Sequence, residues 1–98
     1  MYLKISEREG KKVVASCDSE LIGKVLKEGE ATLDLDKYSS FYRGGEVGAE
    51  KLAEALKDFS SANLVGKECV AVALESGLVR ETDVRYINNV PHVQVYRV

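Results

Sequence analysis

The chain holds one histidine, His92, and two cysteines, Cys17 and Cys69. With Arg43 and Asn63, these are the side chains whose chemistry could be catalytic, metal-binding or ligand-holding. His92 stands in the phrase Asn89-Val90-Pro91-His92-Val93-Gln94, with no serine or cysteine near it. An imidazole works as a general base only with a partner in hydrogen-bond reach, so a polar contact at a hairpin end is the better expectation. Two cysteines and one histidine fall short of the four ligands of a structural zinc site, and no Cys-x-x-Cys is present. No metal and no cofactor are expected. Cys17 precedes Asp18 and a short helical turn, whose N-terminus could stabilise a thiolate, but the neighbouring carboxylates oppose that. Cys17 and Cys69 therefore read as buried free thiols.

A second group is Phe41-Tyr42-Arg43-Gly44-Gly45. Its rings could stack a base, while Arg43 and backbone N–H groups hold a phosphate. The same residues could instead plug the edge of a core with aromatics and turn at the glycines, and that use is the more ordinary one. No Gly-x-x-x-x-Gly-Lys or Gly-x-Gly-x-x-Gly accompanies them.

These groups must be positioned by one domain, since 98 residues suffice for one and not for two. Residues 1–98 are read as a single α+β domain of antiparallel hairpins packed against two or three helices. Tyr2–Ile5 alternates as a half-buried strand and returns through Gly10 into Lys12–Cys17. Asp18 and Ser19 are good N-caps for a turn of helix that Gly23 stops. Val25–Lys27 and Ala31–Leu35 flank Glu28-Gly29-Glu30 as a second hairpin, with Leu33 and Leu35 inward. Residues 37–47 have no period. Leu52, Ala55, Leu56 and Phe59 recur at helical spacing, predicting a helix over Gly48–Phe59. Ser60–Asn63 reads as a break, with Asn63 a helix cap, before a buried helix over Lys67–Ser76 that ends at Gly77.

The last residues predict a hairpin, Val84–Ile87 with His92–Val98, joined by Asn88-Asn89-Val90-Pro91. Pairing Ile87 with His92 places Arg85 opposite Gln94 and Asp83 opposite Tyr96, and it sorts apolar from polar residues. Arg85, His92, Gln94 and Tyr96 then share the outward face. Both chain ends are mildly basic and the middle is acidic. A pI near 5.4 lies far from that of a basic nucleic-acid module, and no DNA-binding signature is present. No apolar run is long enough to cross a bilayer, and the N-terminus carries no signal peptide, so no membrane partner and a cytoplasmic location are expected.

Four phrases carry a family resemblance: Cys17-Asp18-Ser19-Glu20-Leu21-Ile22-Gly23-Lys24, Phe41-Tyr42-Arg43-Gly44, Ala62-Asn63-Leu64-Val65-Gly66 and Asn89-Val90-Pro91-His92-Val93-Gln94. In this order they resemble the archaeal proteins grouped as domain of unknown function 424. The chain departs from the pattern at Asn89, where glycine is expected, and at Val93, where alanine is. Asn tolerates a left-handed turn nearly as well as Gly, so the hairpin should survive. The resemblance implies an archaeal, cytoplasmic protein and supplies no activity.

The leading expectation is a binding module for RNA or a ribonucleoprotein. It would use Phe41, Tyr42, Arg43, Gly44, Asn63, Arg85, His92, Gln94 and Tyr96, with stacking and polar contacts outweighing bulk charge. One alternative is a small enzyme whose site forms where the Phe41–Gly44 loop, Asn63 and His92 converge, with His92 near Arg43. Another is an adaptor or homo-oligomer acting through a strand edge.

Overall fold

The computed structural model describes residues 1–97. β1 (Tyr2–Arg8) and β2 (Lys11–Cys17) pair through a two-residue turn. Glu9 and Gly10 there have φ of 54° and 76°, the left-handed geometry that matches the twist of the strands. A short 3₁₀ turn at Ser19–Leu21 leads to the hairpin of β3 (Val25–Glu28) and β4 (Ala31–Asp34). The stretch without a period contains α1 (Ser39–Tyr42) and β5 (Gly45–Glu46), two short elements that leave little pattern. α2 (Ala49–Ala55) stops one turn before Phe59, yet Leu52, Ala55, Leu56 and Phe59 are all buried as their spacing predicted.

The expected break at Ser60–Asn63 is a strand. β6 (Ser61–Val65) lies inside the main sheet, parallel to β2 and antiparallel to β8 (Val90–Tyr96). Ser, Ala and Asn are poor intrinsic strand formers, and burial between neighbours on both edges overrides that preference. Asn63 is consequently mid-strand and caps nothing. α3 (Lys67–Glu75) follows, and its cap comes from a distance. The Asp18 carboxylate accepts from the backbone N–H groups of Glu68 and Cys69, both at 3.0 Å. Asp18 does not cap the 3₁₀ turn beside it with its side chain.

β7 (Arg85–Ile87) and β8 pair with Arg85 opposite His92 and Ile87 opposite Val90. The anticipated pairing of Ile87 with His92 is therefore displaced by two residues. Asn88 and Asn89 both adopt positive φ, 50° and 64°, so they close the turn alone and Val90 and Pro91 enter the strand. An even displacement leaves every side chain on its expected face.

The main sheet runs β5-β1-β2-β6-β8-β7, and β3–β4 forms a separate ribbon. One face of the sheet carries Leu3, Val14, Ala62, Leu64 and Val93 against α2 and α3. The other face is read off the registers in rows. Tyr2, Cys17, Val65, His92 and Arg85 form one row, and Lys4, Ala15, Asn63 and Gln94 the next. Ser6, Val13, Ser61 and Tyr96 form the third. The 3₁₀ turn, the β3–β4 ribbon with the residue that follows it, and α1 cover the first row with Leu21, Leu26, Leu35 and Tyr42. They also bury Ala15 in the second row, leave Lys4, Asn63, Ser6, Val13 and Ser61 half-buried, and leave Gln94 and Tyr96 exposed. This α+β arrangement agrees with the expected class, apart from the one parallel pair between β2 and β6. Among the described residues, no helix is long and apolar enough to cross a membrane.

Candidate functional site

The less covered half of the sheet is the floor of the site, and α1 is its wall. The short helix presents Tyr38 at its entry and Phe41 within it, 55% and 38% exposed. Tyr42 turns the other way and is buried, with the Phe41 ring edge-on at 5.1 Å and 88°. Burial first, then the neighbouring Cys17, pushes the Tyr42 phenol up to about 12, so it stays neutral. Gly44 is required by packing, since a Cβ there would overlap the carbonyl oxygen of Leu3. The Lys4 ammonium, rising from the floor, donates to the carbonyl of Ser40 at 2.7 Å and ties the wall to the sheet.

A cavity of about 290 Å³ opens where the wall meets the floor, lined by Tyr38, Phe41, Tyr42, Asp34, Asn63 and Gln94, with Leu33 at its edge. Asn63 and Gln94 face each other across β6 and β8, and Gln94 Nε2 donates to Asn63 Oδ1 at 2.9 Å. Two further cavities adjoin it. One of about 470 Å³ shares Phe41 and extends over Lys4, Ser6 and Arg8. The other, about 210 Å³, shares Gln94 and reaches Arg85, His92 and Tyr96. Through Phe41 and Gln94 the three adjoin as a track that ends at the open outer edge of β8, where Asp83 and Val93 also line it. Tyr96, 72% exposed, stands at its far end.

The structure thus brings Phe41, Tyr42, Asn63 and Gln94 together in one cavity, and Arg85, His92, Gln94 and Tyr96 in another. Arg43 and His92 do not meet. The Arg43 guanidinium lies 5.8 Å from the ring centroid of Tyr2 on β1. Tyr2 and His92 share a row but stand three strand spacings apart, roughly 14 Å. Among the described residues the imidazole makes no hydrogen bond. Burial first, and then the Arg85 cation opposite it, holds its pKa below the usual 6.5. His92 is a neutral, half-buried ring at neutral pH, without the oriented partner a general base needs.

Asp34 and Tyr38 also line the main cavity and were not singled out from the sequence. Tyr38 had a visible signal, since it stands three residues before Phe41 and a helical turn aligns the two rings. Asp34 had none, because its place depends on how the ribbon folds over the sheet. Both cysteines are buried, and burial is the main cause of their raised pKa values, about 11 for Cys17. Cys69 Sγ lies 3.2 Å from Ser16 Oγ inside the core. Asp18, Glu20 and Glu68 cluster at the start of α3, but the Asp18 oxygens are already taken by backbone N–H groups.

A family profile described as a protein of unknown function (DUF424) matches residues 6–98. The fold is similar to the crystal structure of an uncharacterized conserved protein from Methanopyrus kandleri. That chain is 31% identical, with a TM-score of 0.79 over 97% of this chain and 89% of that one. Comparison with curated proteins gives no match.

Proposed function

Because this chain belongs to the DUF424 family, whose description assigns no activity, we propose a function from its own surface: a cytoplasmic archaeal module that binds single-stranded RNA, free or within a ribonucleoprotein. The observation that carries this reading is the half-open sheet. Its polar floor of Lys4, Asn63 and Gln94 is flanked by exposed rings, Tyr38 and Phe41 on one side and Tyr96 on the other. Sheets that stack two or three bases on aromatic side chains are a common solution for single-stranded RNA. Stacking does not require a strongly basic protein, since each stacked base contributes about 1–3 kcal/mol.

The cations beside the track are Lys4, Arg8 and Arg85, and they share it with the carboxylates of Glu7, Asp34 and Asp83. If all three neutralise phosphates, the logarithmic salt slope of binding is no steeper than about −2. Fluorescence anisotropy with short single-stranded oligoribonucleotides tests this. Phe41→Ala and Tyr96→Ala each weaken binding about tenfold or more, with the shallow salt slope retained. Absence of binding at low salt overturns the reading.

One observation favours a second reading, association through a strand edge. β7 ends opposite His92, so Gln94 and Tyr96 have no strand on their outer side. Pro91 and Arg97 direct their backbone groups toward β6, accepting from Gly66 N–H and donating to Ser60 O. Alternation then aims the N–H and C=O of Gln94 and Tyr96 outward, beside a groove of about 670 Å³. Light scattering of the protein over a concentration series tests self-pairing. A constant monomer mass removes that form of the reading.

A further inference from the structure

The outer edge of β8 is open at Gln94 and Tyr96, and what closes it at one end decides what can pair there. β7 covers β8 only as far as Arg85 opposite His92. Just upstream of β7, a 3₁₀ turn at Glu81–Asp83 holds the chain off the edge, with Asp83 Oδ2 accepting from Arg80 N–H at 2.8 Å. Among the described residues, the outward N–H and C=O groups of Gln94 and Tyr96 make no hydrogen bond. The groove of about 670 Å³ beside this edge has an apolar floor of Leu78, Val79, Val93 and Val95, where the main core comes to the surface. Arg85 lines the groove at the β7 end and has no ion-pair partner among the described residues.

An antiparallel strand added here exchanges both backbone bonds at Gln94 and at Tyr96. It runs from Tyr96 toward Gln94, and the next place along the edge, beside Val93, belongs to Val84, which leads in extended conformation into β7. A chain that continues straight meets Val84 end-on, so a strand whose last residue lies opposite Gln94 fits. A second copy does not meet this condition, because pairing β8 with its twofold mate through both residues carries Arg97 into the place of Val84. The terminal carboxylate accepts from Gln94 N–H. Arg85 stands two places further along the same edge and on the same face as Gln94, about 7 Å on and within reach of a guanidinium. The residue before the last lies opposite Val95 and points to the helix-covered face, into the apolar floor. Asp83 is the opposing charge on the groove. We propose that the β8 edge captures the free C-terminus of an extended segment of a partner protein, with an aliphatic penultimate side chain in the groove and the carboxylate on Arg85. This inference rests on the strand-edge reading above and not on the RNA one.

Fluorescence anisotropy on the intact chain compares a labelled hexapeptide ending Thr-Val-Thr as the free acid, the same peptide as its C-terminal amide, and one ending Thr-Asp-Thr. The free acid binds, and the other two each bind about tenfold more weakly, one for want of the charged contact and one of the apolar contact. Arg85→Gln weakens the free acid about tenfold and leaves the amide unchanged. Asp83→Asn keeps an oxygen for Arg80 N–H and tightens the free acid alone. Tyr96→Pro removes one outward N–H and abolishes binding, while circular dichroism confirms its fold. Equal affinity of acid and amide, lost on Tyr96→Pro, overturns terminal capture and leaves the strand-edge reading standing. Binding that survives Tyr96→Pro overturns the edge as the place of capture. Absence of binding by every peptide overturns the proposal, and light scattering then tests the edge reading alone.

Discussion

Replacing Asp18 with alanine removes the link between β2 and α3, and the loss can be sized from the bonds it breaks. The side chain is 2% exposed and accepts two backbone hydrogen bonds at the start of α3. Bonds to a charged group contribute about 1.5–3 kcal/mol each, while freeing the carboxylate from burial returns part of that. The Glu68 N–H is partly exposed and can turn to water, but the Cys69 N–H is buried and becomes an orphan at about 1–3 kcal/mol. A net loss of about 3 kcal/mol follows, a large share of the ~5–15 kcal/mol of a typical domain. In a chain of this size the midpoint falls by roughly 15 °C. Asp18→Asn keeps one acceptor and loses about 1 kcal/mol.

Gly66 supplies a second test of the same contact. It sits at φ 110°, and a Cβ there would overlap the Asp18 carboxylate. Gly66→Ala thus carries both a backbone penalty and a steric one, and Asp18→Ala relieves only the steric part. The double variant should lose less than the sum of the two singles. Urea unfolding with an unchanged m-value measures all four proteins. A loss below about 1 kcal/mol for Asp18→Ala, or strict additivity with Gly66→Ala, refutes the reasoning.

Three further outcomes follow from the strand positions. His92 has a folded pKa below 6.5, so the unfolded chain takes up the proton first. Its contribution to stability is complete above the unfolded value and is lost as pH falls through about 6.5. Urea midpoints at about pH 7.5 and 5.5 should therefore diverge less in His92→Gln than in the parent, and equal divergence contradicts the shift. Tyr96 N–H points away from β6, so Tyr96→Pro should fold, whereas Val95→Pro loses a β6 bond and should unfold; circular dichroism separates them. Cys17 and Cys69 are buried thiols, with Cys17 raised to about 11 and Cys69 raised as well, mainly by burial. A disulfide reagent should label them only at the rate of unfolding, and fast labelling of the folded chain would sink that expectation.

The elements that could be read from sequence are those whose pattern is local. The β1–β2 hairpin, the β3–β4 ribbon and the apolar stripe of α2 each carry their own period or turn signal. α3 was placed correctly although its six consecutive apolar residues have no period, because Gly77 marks its end at φ 77°. β6 was missed for the opposite reason. Its Ser-Ala-Asn start resembles a loop, and only the partners on both sides make it a strand. Asp18 has the right chemistry for a cap, but the helix it caps lies fifty residues on. Nothing local connects the two.

The site shows the same division at the level of single side chains. The alternation His92, Gln94, Tyr96 set their common face before any register was known, and a two-residue error left that face intact. Whether Arg43 reaches His92 depends instead on strand order, which a hairpin pattern does not contain. The insertion of β2 and β6 between β1 and β8 separates them. It also places Asn63 beside Gln94, because β6 pairs directly with β8. One unrecognised strand therefore separates Arg43 from His92 and creates the Asn63–Gln94 amide pair. For the same reason the acidic pI weighs less against RNA than composition implied: the track offers rings and amides where a duplex binder would offer cations.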